Sequence, residues 1–589
     1  MTRRATMASD HDRGQRVRYR FSPLERRGVI AGWRGGQIAS VTCGLLVDVV
    51  VLRARPSAGG VLLALVGLAA GLAVAFWPIR GRTGEQWLPL VVRWLWSAWT
   101  GSHRQLAEGP ARGHLATVDT SRRGPGSIEV RPVNAKFHGG GGTVFDGLTV
   151  VGTPFESQSP MAELGMVLDS RARTATAALV VRGHSFALLS SGDQEGRIAA
   201  WARVLSSMAR EGSEIHRVQW IESCLPDDGG AVRRHLADNA VLGADSPAGC
   251  SYRALVDEAA PVTRRHQVLV TLSIRTGRSP RVGRSSRAGG SSGASRSSGA
   301  STSGIGGVLA REVLSLHRAL DGADVSVEGV LGPGALAREI AGASAALNEI
   351  GEQAGPAGSG GRAGPSVSGG LAGPSASSGL ACPCVSGSGG SVAGGHGGPV
   401  AGIYDGRAGR AAPREERTSH WPWPMAVEPT WDALHTDATW HATYWIAEWP
   451  RVDVTPEFLG PLLFSPLRRS ISLIMEPISP SRAARQVAQA RTADLADGEL
   501  RRRGGFLTTA RHAREKESVE ERDVELADGH AQYRFSGYVT LTTDSREELT
   551  ASCAAAEQAA GQAGIDLRLL YGAQDVAFAC SLPLGRGLT

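Results

Sequence analysis

The chain contains two lysines, Lys136 and Lys516, and neither can serve a nucleotide. A phosphate-cradling GxxxxGK[ST] loop needs a lysine followed by Ser or Thr, because that lysine reaches the terminal phosphates. Lys136 precedes Phe137 and Lys516 precedes Glu517, so a Walker A site is absent. The run Gly139–Gly142 after His138 lacks the strand and helix that would make a phosphate nest, and reads as a hairpin tip. Gly183–Ala187, GHSFA, has the outline of a nucleophile elbow with Ala in the last place. An elbow demands a helix directly after its serine, whereas FALLS after Ser185 reads as a strand, which predicts a β-hairpin turn. The 15 histidines include no HExxH pair and no cluster with cysteine at metal spacing, so each reads as a surface or internally satisfied side chain. Seven cysteines, at 43, 224, 250, 382, 384, 553 and 580, form no disulfide or metal framework, and Cys382 and Cys384 are an isolated CxC in a glycine-rich tract. No catalytic, cofactor or metal site is expected.

The basic charge lies at one end. Residues 1–112 hold 16 Arg against 6 Asp plus Glu, a surplus of 10, while the whole chain carries +7. Such basicity belongs beside a membrane, and any link to nucleic acid is indirect. Gly35–Leu52 runs 18 positions with Asp48 its one charge, and Ser57–Trp77 runs 21 positions with none. At about 1.5 Å per helical residue, each spans an apolar layer about 30 Å thick. Asp48 near mid-span costs about 2.5–3.5 kcal/mol on insertion scales, so it should face a partner helix, as an intramembrane polar contact, and not lipid. Nine Arg precede the first span, Arg53 and Arg55 fill the short loop, and Arg80, Arg82 and Arg93 follow the second. That asymmetry places both termini in the cytoplasm of a multi-pass inner-membrane protein. Trp33 and Trp77 sit where interfacial aromatics are expected. Next comes WLPLVVRWLWSAW, Trp87–Trp99, either a helix along the membrane surface or one buried on the following domain.

The expected fold class is α+β. A basic stretch 1–34, a hairpin 35–78 and a juxtamembrane segment 79–124 precede a first cytoplasmic lobe at 125–350. A disordered linker at 355–413 separates it from a second lobe at 420–589. Both lobes are expected as sandwich-like units with mainly antiparallel sheets. The Ser/Gly/Arg-rich tract 277–307 reads as a disordered insertion in the first lobe. Strand signals at ATAALVV and RHQVLVTLSI alternate with a helix at Gln194–Glu211, where Ile198, Trp201, Leu205 and Met208 share one face. In the second lobe WHATYWIAEW, RSISLIMEP, YRFSGYVTLT and DLRLLYG read as strands, with helices after Thr455, Ser479 and Ser545. Ser479 followed by Pro480 is a favourable helix start. Arg511–Glu525 pairs opposite charges four apart, including Lys516 and Glu520, as a solvated helix does. Each lobe shows a strand–helix–strand order, RHQVLVTLSI, LAREVLSLHRAL and VSVEGVL against YRFSGYVTLT, ELTASCAAAEQAA and DLRLLYG. An internal duplication and ordinary α+β architecture both produce it.

Three segments of the second lobe, TWHATYWIAEWPR (Thr439–Arg451), ERDVELADGHAQYRFSGYVTL (Glu521–Leu541) and AQDVAFACSLPLG (Ala573–Gly585), resemble the amino-terminal domain of conjugative type IV secretion ATPases. The hairpin, with Tyr19–Gln37 before it, resembles the PrgI family of two-span secretion subunits. These resemblances imply an actinobacterial-type fusion of a membrane subunit with an ATPase amino-terminal domain, the Walker-type motor being a separate polypeptide. They also imply contacts with other membrane secretion subunits and further copies of the chain. The family's nucleotide site has no matching position here. Trp440, Tyr444, Trp445 and Trp449 are the candidate contacts for that ATPase, the other reading being that all four are core or sheet-edge residues; Trp445 and Trp449 share one side of an ideal strand and Tyr444 lies on the other. Two other readings stand: an EccE-like membrane subunit of type VII secretion, and a membrane-anchored hydrolase using Ser185, which needs a basic His and an acid near it.

Overall fold

Two predominantly apolar runs form the first two elements, helices α1 (Gly35–Ala54) and α2 (Ala58–Phe76). In the computed structural model Gly36–Ala54 is long and apolar enough to cross a membrane, with little of it buried; Ala58–Ala73 is apolar and shorter. The structure describes residues 35–54, 57–76, 78–79, 82–100, 105–107, 133–134, 137–138, 144–155, 163–183, 186–226, 230–239, 246–259, 264–277, 298–343, 424, 426–504 and 510–587. The expectations for 1–34, Trp33, Trp77, Lys136, Gly139–Gly142, Ser185, Cys382, Cys384 and the linker 355–413 lie outside these residues.

After the hairpin come β1 (Pro78–Ile79), β2 (Arg82–Thr83), α3 (Gly84–Trp99), β3 (Gln105–Ala107), β4 (Val133–Asn134), β5 (Phe137–His138), β6 (Leu148–Pro154) and β7 (Glu163–Asp169). The first large repeat follows: β8 (Thr174–Gly183), α4 (Ser191–Met208), β9 (Ile215–Pro226), α5 (Gly230–Asn239), α6 (Pro247–Ala259), β10 (Arg264–Arg275), α7 (Ser298–Asp321), β11 (Val325–Val330) and α8 (Pro333–Gly342). Then come β12 (Ala426–Pro429) and β13 (Leu434–Thr436). The second repeat is β14 (Thr439–Glu448), α9 (Gly460–Leu463), β15 (Arg469–Ile478), α10 (Pro480–Gly504), α11 (Ala510–Ala527), β16 (Gln532–Thr543), α12 (Arg546–Gln562), β17 (Asp566–Leu569) and α13 (Gln574–Ala579).

The fold is α+β with antiparallel strand pairing throughout the described residues. One 15-stranded sheet runs β4-β6-β7-β8-β10-β9-β15-β16-β14-β13-β12-β3-β5, with β11 beside β8 and β17 beside β14. The segments 125–350 and 420–589 thus join edge to edge through β9 and β15, from Arg469 opposite Cys224 to Met475 opposite Val218. The two repeats match element by element. A long strand takes its preceding partner at one end and its closing strand at the other, β7 and β11 on β8, β13 and β17 on β14. A helical hairpin interrupts each repeat between its second and third strands. Equivalent antiparallel edges meet at the seam, the arrangement of a pseudo-two-fold axis.

Side chains alternate across the sheet. One face carries α4 and α7 over Val218, Val270, Leu272 and Leu179, and α9 and α12 over Tyr444, Val539 and Leu541. On the other face one core joins Leu148, Val167 and Ala178 of the first half to Leu336 and Ile340 of α8, Leu434 of β13, and Phe578 and Leu582 of the C-terminal segment.

Two local expectations are corrected. Phe186–Leu188 is a short 3-10 turn and not a strand, because Ser190 begins α4 directly after it, its hydroxyl accepting from the Asp193 amide at 3.3 Å. The helix predicted from Leu309 reaches back to Ser298, inside the tract expected to be disordered. Ile305 lies against the first core and anchors that extra length.

Candidate functional site

Asp48 lies on the α2-facing side of α1, and is 7% exposed. Its Oδ1 has no hydrogen-bond partner among the described residues. Small residues permit the approach: a Cβ on Gly67 would stand 2.5 Å from Asp48 Oδ1, and the Cα of Gly44 stands 3.7 Å from one on Gly71. Close crossing over small residues is how apolar helices associate where burial supplies no driving force. Gln37 Nε2 donates to the Ala75 carbonyl at 3.1 Å and closes the hairpin's other end.

The aromatic-rich segment forms α3 and divides its apolar residues between two faces. Trp87 stacks on Trp431 with centroids 5.9 Å apart and meets Tyr571 at 5.4 Å, and Trp94 meets Trp431 edge-on at 5.3 Å. Arg93 donates to the Gly572 carbonyl at 3.3 Å. This side is docked on the second half of the sheet. The opposite stripe, Leu88, Val92, Leu95, Trp96 and Trp99, is exposed, Trp99 to 82%.

Strand β14 spends its aromatics on the chain's own interior. Tyr444 is 1% exposed and donates its hydroxyl to Glu557 Oε1 at 2.9 Å, so it is unavailable to a partner. Burial drives its pKa upward, far beyond any working pH. Trp440 stacks on His435 at 4.4 Å beneath the Arg546 guanidinium at 5.2 Å. The register with β17 shifts between Ile446 and Glu448, a bulge that re-aims the strand. Trp445 therefore joins the cluster of Ile474 and Tyr538, whereas Trp449 lands with Tyr444's core against Phe458 and Phe535. The ideal alternation that put Trp445 and Trp449 on one side is corrected by that bulge.

Polar side chains gather at the seam. Across β9, β10 and β15, His266 Nδ1 lies 2.6 Å from Glu222 Oε1, Cys224 Sγ lies 3.9 Å from His266 Nε2, and Arg469 Nη2 lies 3.5 Å from the same Glu222 oxygen. Arg469, 1% exposed, also donates to the carbonyls of Leu463, Ser465 and Leu467. Thiol, imidazole and carboxylate follow the order of an activated nucleophile. However, Cys224 is 1% exposed, which leaves a substrate no approach to its sulfur. What the cluster does is tie β9 to β15 through paired, hydrogen-bonded charge. On the other face of the seam Gln219 is fully buried: its Nε2 donates to Ser472 Oγ at 2.9 Å and to the carbonyls of Cys580 and Leu582 at 2.9 and 3.0 Å. Its Oε1 accepts from Gly585 N at 2.9 Å, so the C-terminal segment is latched across both halves. Gly585 has φ +63, and a Cβ there would fall 1.9 Å from Ser273 Oγ.

Other titratable groups are settled by burial. His441 sits between Thr436 at 2.7 Å, Thr439 at 3.0 Å and Thr542 at 3.0 Å, and burial with nearby Arg468 lowers its pKa to about 3. This histidine is internally satisfied, as the sequence suggested. His216 falls to about 4 through burial and the Arg217 charge. Burial raises Glu339 despite the Gln267 amide donating to it. Lys516 lies 3.8 Å from Glu520 on the exposed α11. Among the described residues no group of three or more His, Cys, Asp or Glu could hold a metal ion. The seam residues Gln219, Glu222, Cys224, His266 and Arg469 were not singled out from sequence, where polar residues inside apolar strands were the available signal.

Comparison with protein-family models and with curated proteins finds no match.

Proposed function

We propose that this chain is a non-catalytic inner-membrane subunit of a conjugative, type IV-like secretion apparatus, whose sheet is the cytoplasmic platform for a separate Walker-type ATPase. On this reading α1 and α2 cross the membrane as a hairpin and both termini are cytoplasmic, in keeping with the Arg asymmetry around the two spans. The observation that carries it is spatial. The segments resembling the amino-terminal domain of secretion ATPases, scattered over about 150 residues of sequence, converge: β14 pairs with β16, from Trp440 opposite Thr543 to Trp445 opposite Tyr538, and α13 lies against β14 through Gln574, whose Oε1 accepts from the Thr443 amide at 2.8 Å.

Since Tyr444 is interior, the contact role passes to neighbouring exposed apolar side chains. Phe464, 78% exposed, and Val452, 70% exposed, lie in the connection between β14 and β15. Large apolar side chains, Phe and Met among them, are enriched where interfaces bury a partner's surface. Affinity purification of the full chain from membranes in mild detergent tests the assignment. A Walker-type ATPase should co-purify. Recovery of small secreted helical-hairpin proteins in its place would favour the type VII alternative and contradict the proposal.

A further inference from the structure

Where α3 lies follows from the chain path before it. After α2 ends at Phe76, β1 and β2 pair antiparallel with Pro78 opposite Thr83, so the chain doubles back and α3 begins beside the end of α2. Cα atoms of paired antiparallel residues are about 4.5–5.5 Å apart. The start of α3 is thus held within a residue or two of where the apolar hairpin emerges.

Its inner face is occupied by the Trp87, Trp94, Trp431 and Tyr571 cluster and by Arg93 on Gly572. A helix of 16 residues so engaged cannot cross an apolar layer, since it is about 24 Å long and fixed to a polar sheet domain. The outer stripe remains: Leu88 60%, Val92 55%, Leu95 54%, Trp96 65% and Trp99 82% exposed. These positions follow i, i+4, i+7, i+8 and i+11, one continuous helical face without a charge. The helix touches α1 and α2, whose outer surfaces are exposed and apolar along their length, from Phe76 at 41% and Leu72 at 40% to Leu46 at 63%. The occupant that is continuous with those surfaces is the lipid bilayer, and tryptophan is the side chain suited to its interfacial layer.

We infer that α3 lies in the cytoplasmic interface of the bilayer, buries Leu88, Val92, Leu95, Trp96 and Trp99 among lipid, and through its aromatic inner face holds the sheet against the membrane. This inference rests on the membrane placement of α1.

Site-specific photocrosslinking of the full chain in cell membranes tests it. A benzophenone side chain replaces Trp96, and in separate variants Leu88 and Leu95, so that one misfolded variant does not decide the outcome. Leu46 on α1 serves as the lipid-facing reference and Glu520 on α11 as the water-facing one. Illumination should give adducts one phospholipid heavier at Trp96, Leu88 and Leu95, in yield comparable with Leu46 and well above Glu520. Lipid adducts at Leu46 with none on α3 would overturn the inference while leaving the membrane reading intact. Adducts at neither would remove both. Crosslinks from α3 to another protein, or to a second copy of this chain, would replace the bilayer as occupant and equally overturn it.

Discussion

Gln219 has both amide atoms engaged at the centre of the sheet, and the groups it satisfies belong to β15, the C-terminal segment and Gly585. Replacing it with leucine keeps the bulk and strands several buried polar groups. We expect Gln219→Leu to cost about 2–4 kcal/mol, read as a lower unfolding midpoint of the detergent-solubilised chain. His441 imposes a pH dependence of definite sign. The unfolded chain takes up this proton near pH 6.5, the folded chain only near pH 3, so the unfolded state binds more protons between those values. Stability should therefore fall as pH drops below 6.5, by up to about 1.4 kcal/mol per unit, and the His441→Gln variant should show a shallower slope in melts from pH 7.5 to 5. Little of this was legible in the sequence. A histidine in TWHATYW reveals its place in a strand but not the three hydroxyls around it, and Glu222 and Arg469 lie 247 residues apart before the seam joins them. Asp48 differed, because a lone acid in an apolar run can be reasoned about from its cost alone.

At the scale of elements, regular strands were readable and their irregularities were not. WHATYWIAEW is β14 almost to the residue, since aromatic and β-branched side chains suit a pleated, half-buried surface. The bulge near Ala447, which reassigns Trp449, leaves no mark in composition because it depends on pairing with β17. Likewise FALLS has strand residues, yet the cap at Ser190 claims its end for α4. The segment Trp87–Trp99 could be read as a membrane-surface helix or as one buried on the domain, and the structure gives it one face on the sheet and another exposed. The α1–α2 hairpin supplies a test at this scale. The Cα of Gly44 lies 3.7 Å from a Cβ placed on Gly71, so the larger side chain of Gly71→Ile must part the helices. Its melting temperature in detergent should drop, while Leu62→Ile, at an outward position 66% exposed, should leave it unchanged.

The middle of the sheet holds two copies of one strand–helix pattern meeting at equivalent edges, and the order of RHQVLVTLSI, LAREVLSLHRAL and VSVEGVL against YRFSGYVTLT, ELTASCAAAEQAA and DLRLLYG, which left duplication and ordinary α+β architecture both open, falls within them. That the copies share hydrogen bonds was not readable, because strand β9 gives no sign in sequence of which edge it will meet. The sheet so built has a backbone ladder that runs unbroken through the seam. It carries no Walker A motif, so the purified chain should bind no ATP at micromolar concentrations in equilibrium dialysis. On the proposed function a separate ATPase docks on the sheet. The direct measurement is binding of a Walker-type ATPase, recovered with the full chain from membranes and purified, to the full chain in lipid nanodiscs by calorimetry, with Phe464→Ala in parallel. Saturable binding is expected, weakened about tenfold or more by Phe464→Ala, the loss of roughly 1.4 kcal/mol or more that an anchor residue carries. Absence of detectable binding to folded, nanodisc-embedded chain would contradict it.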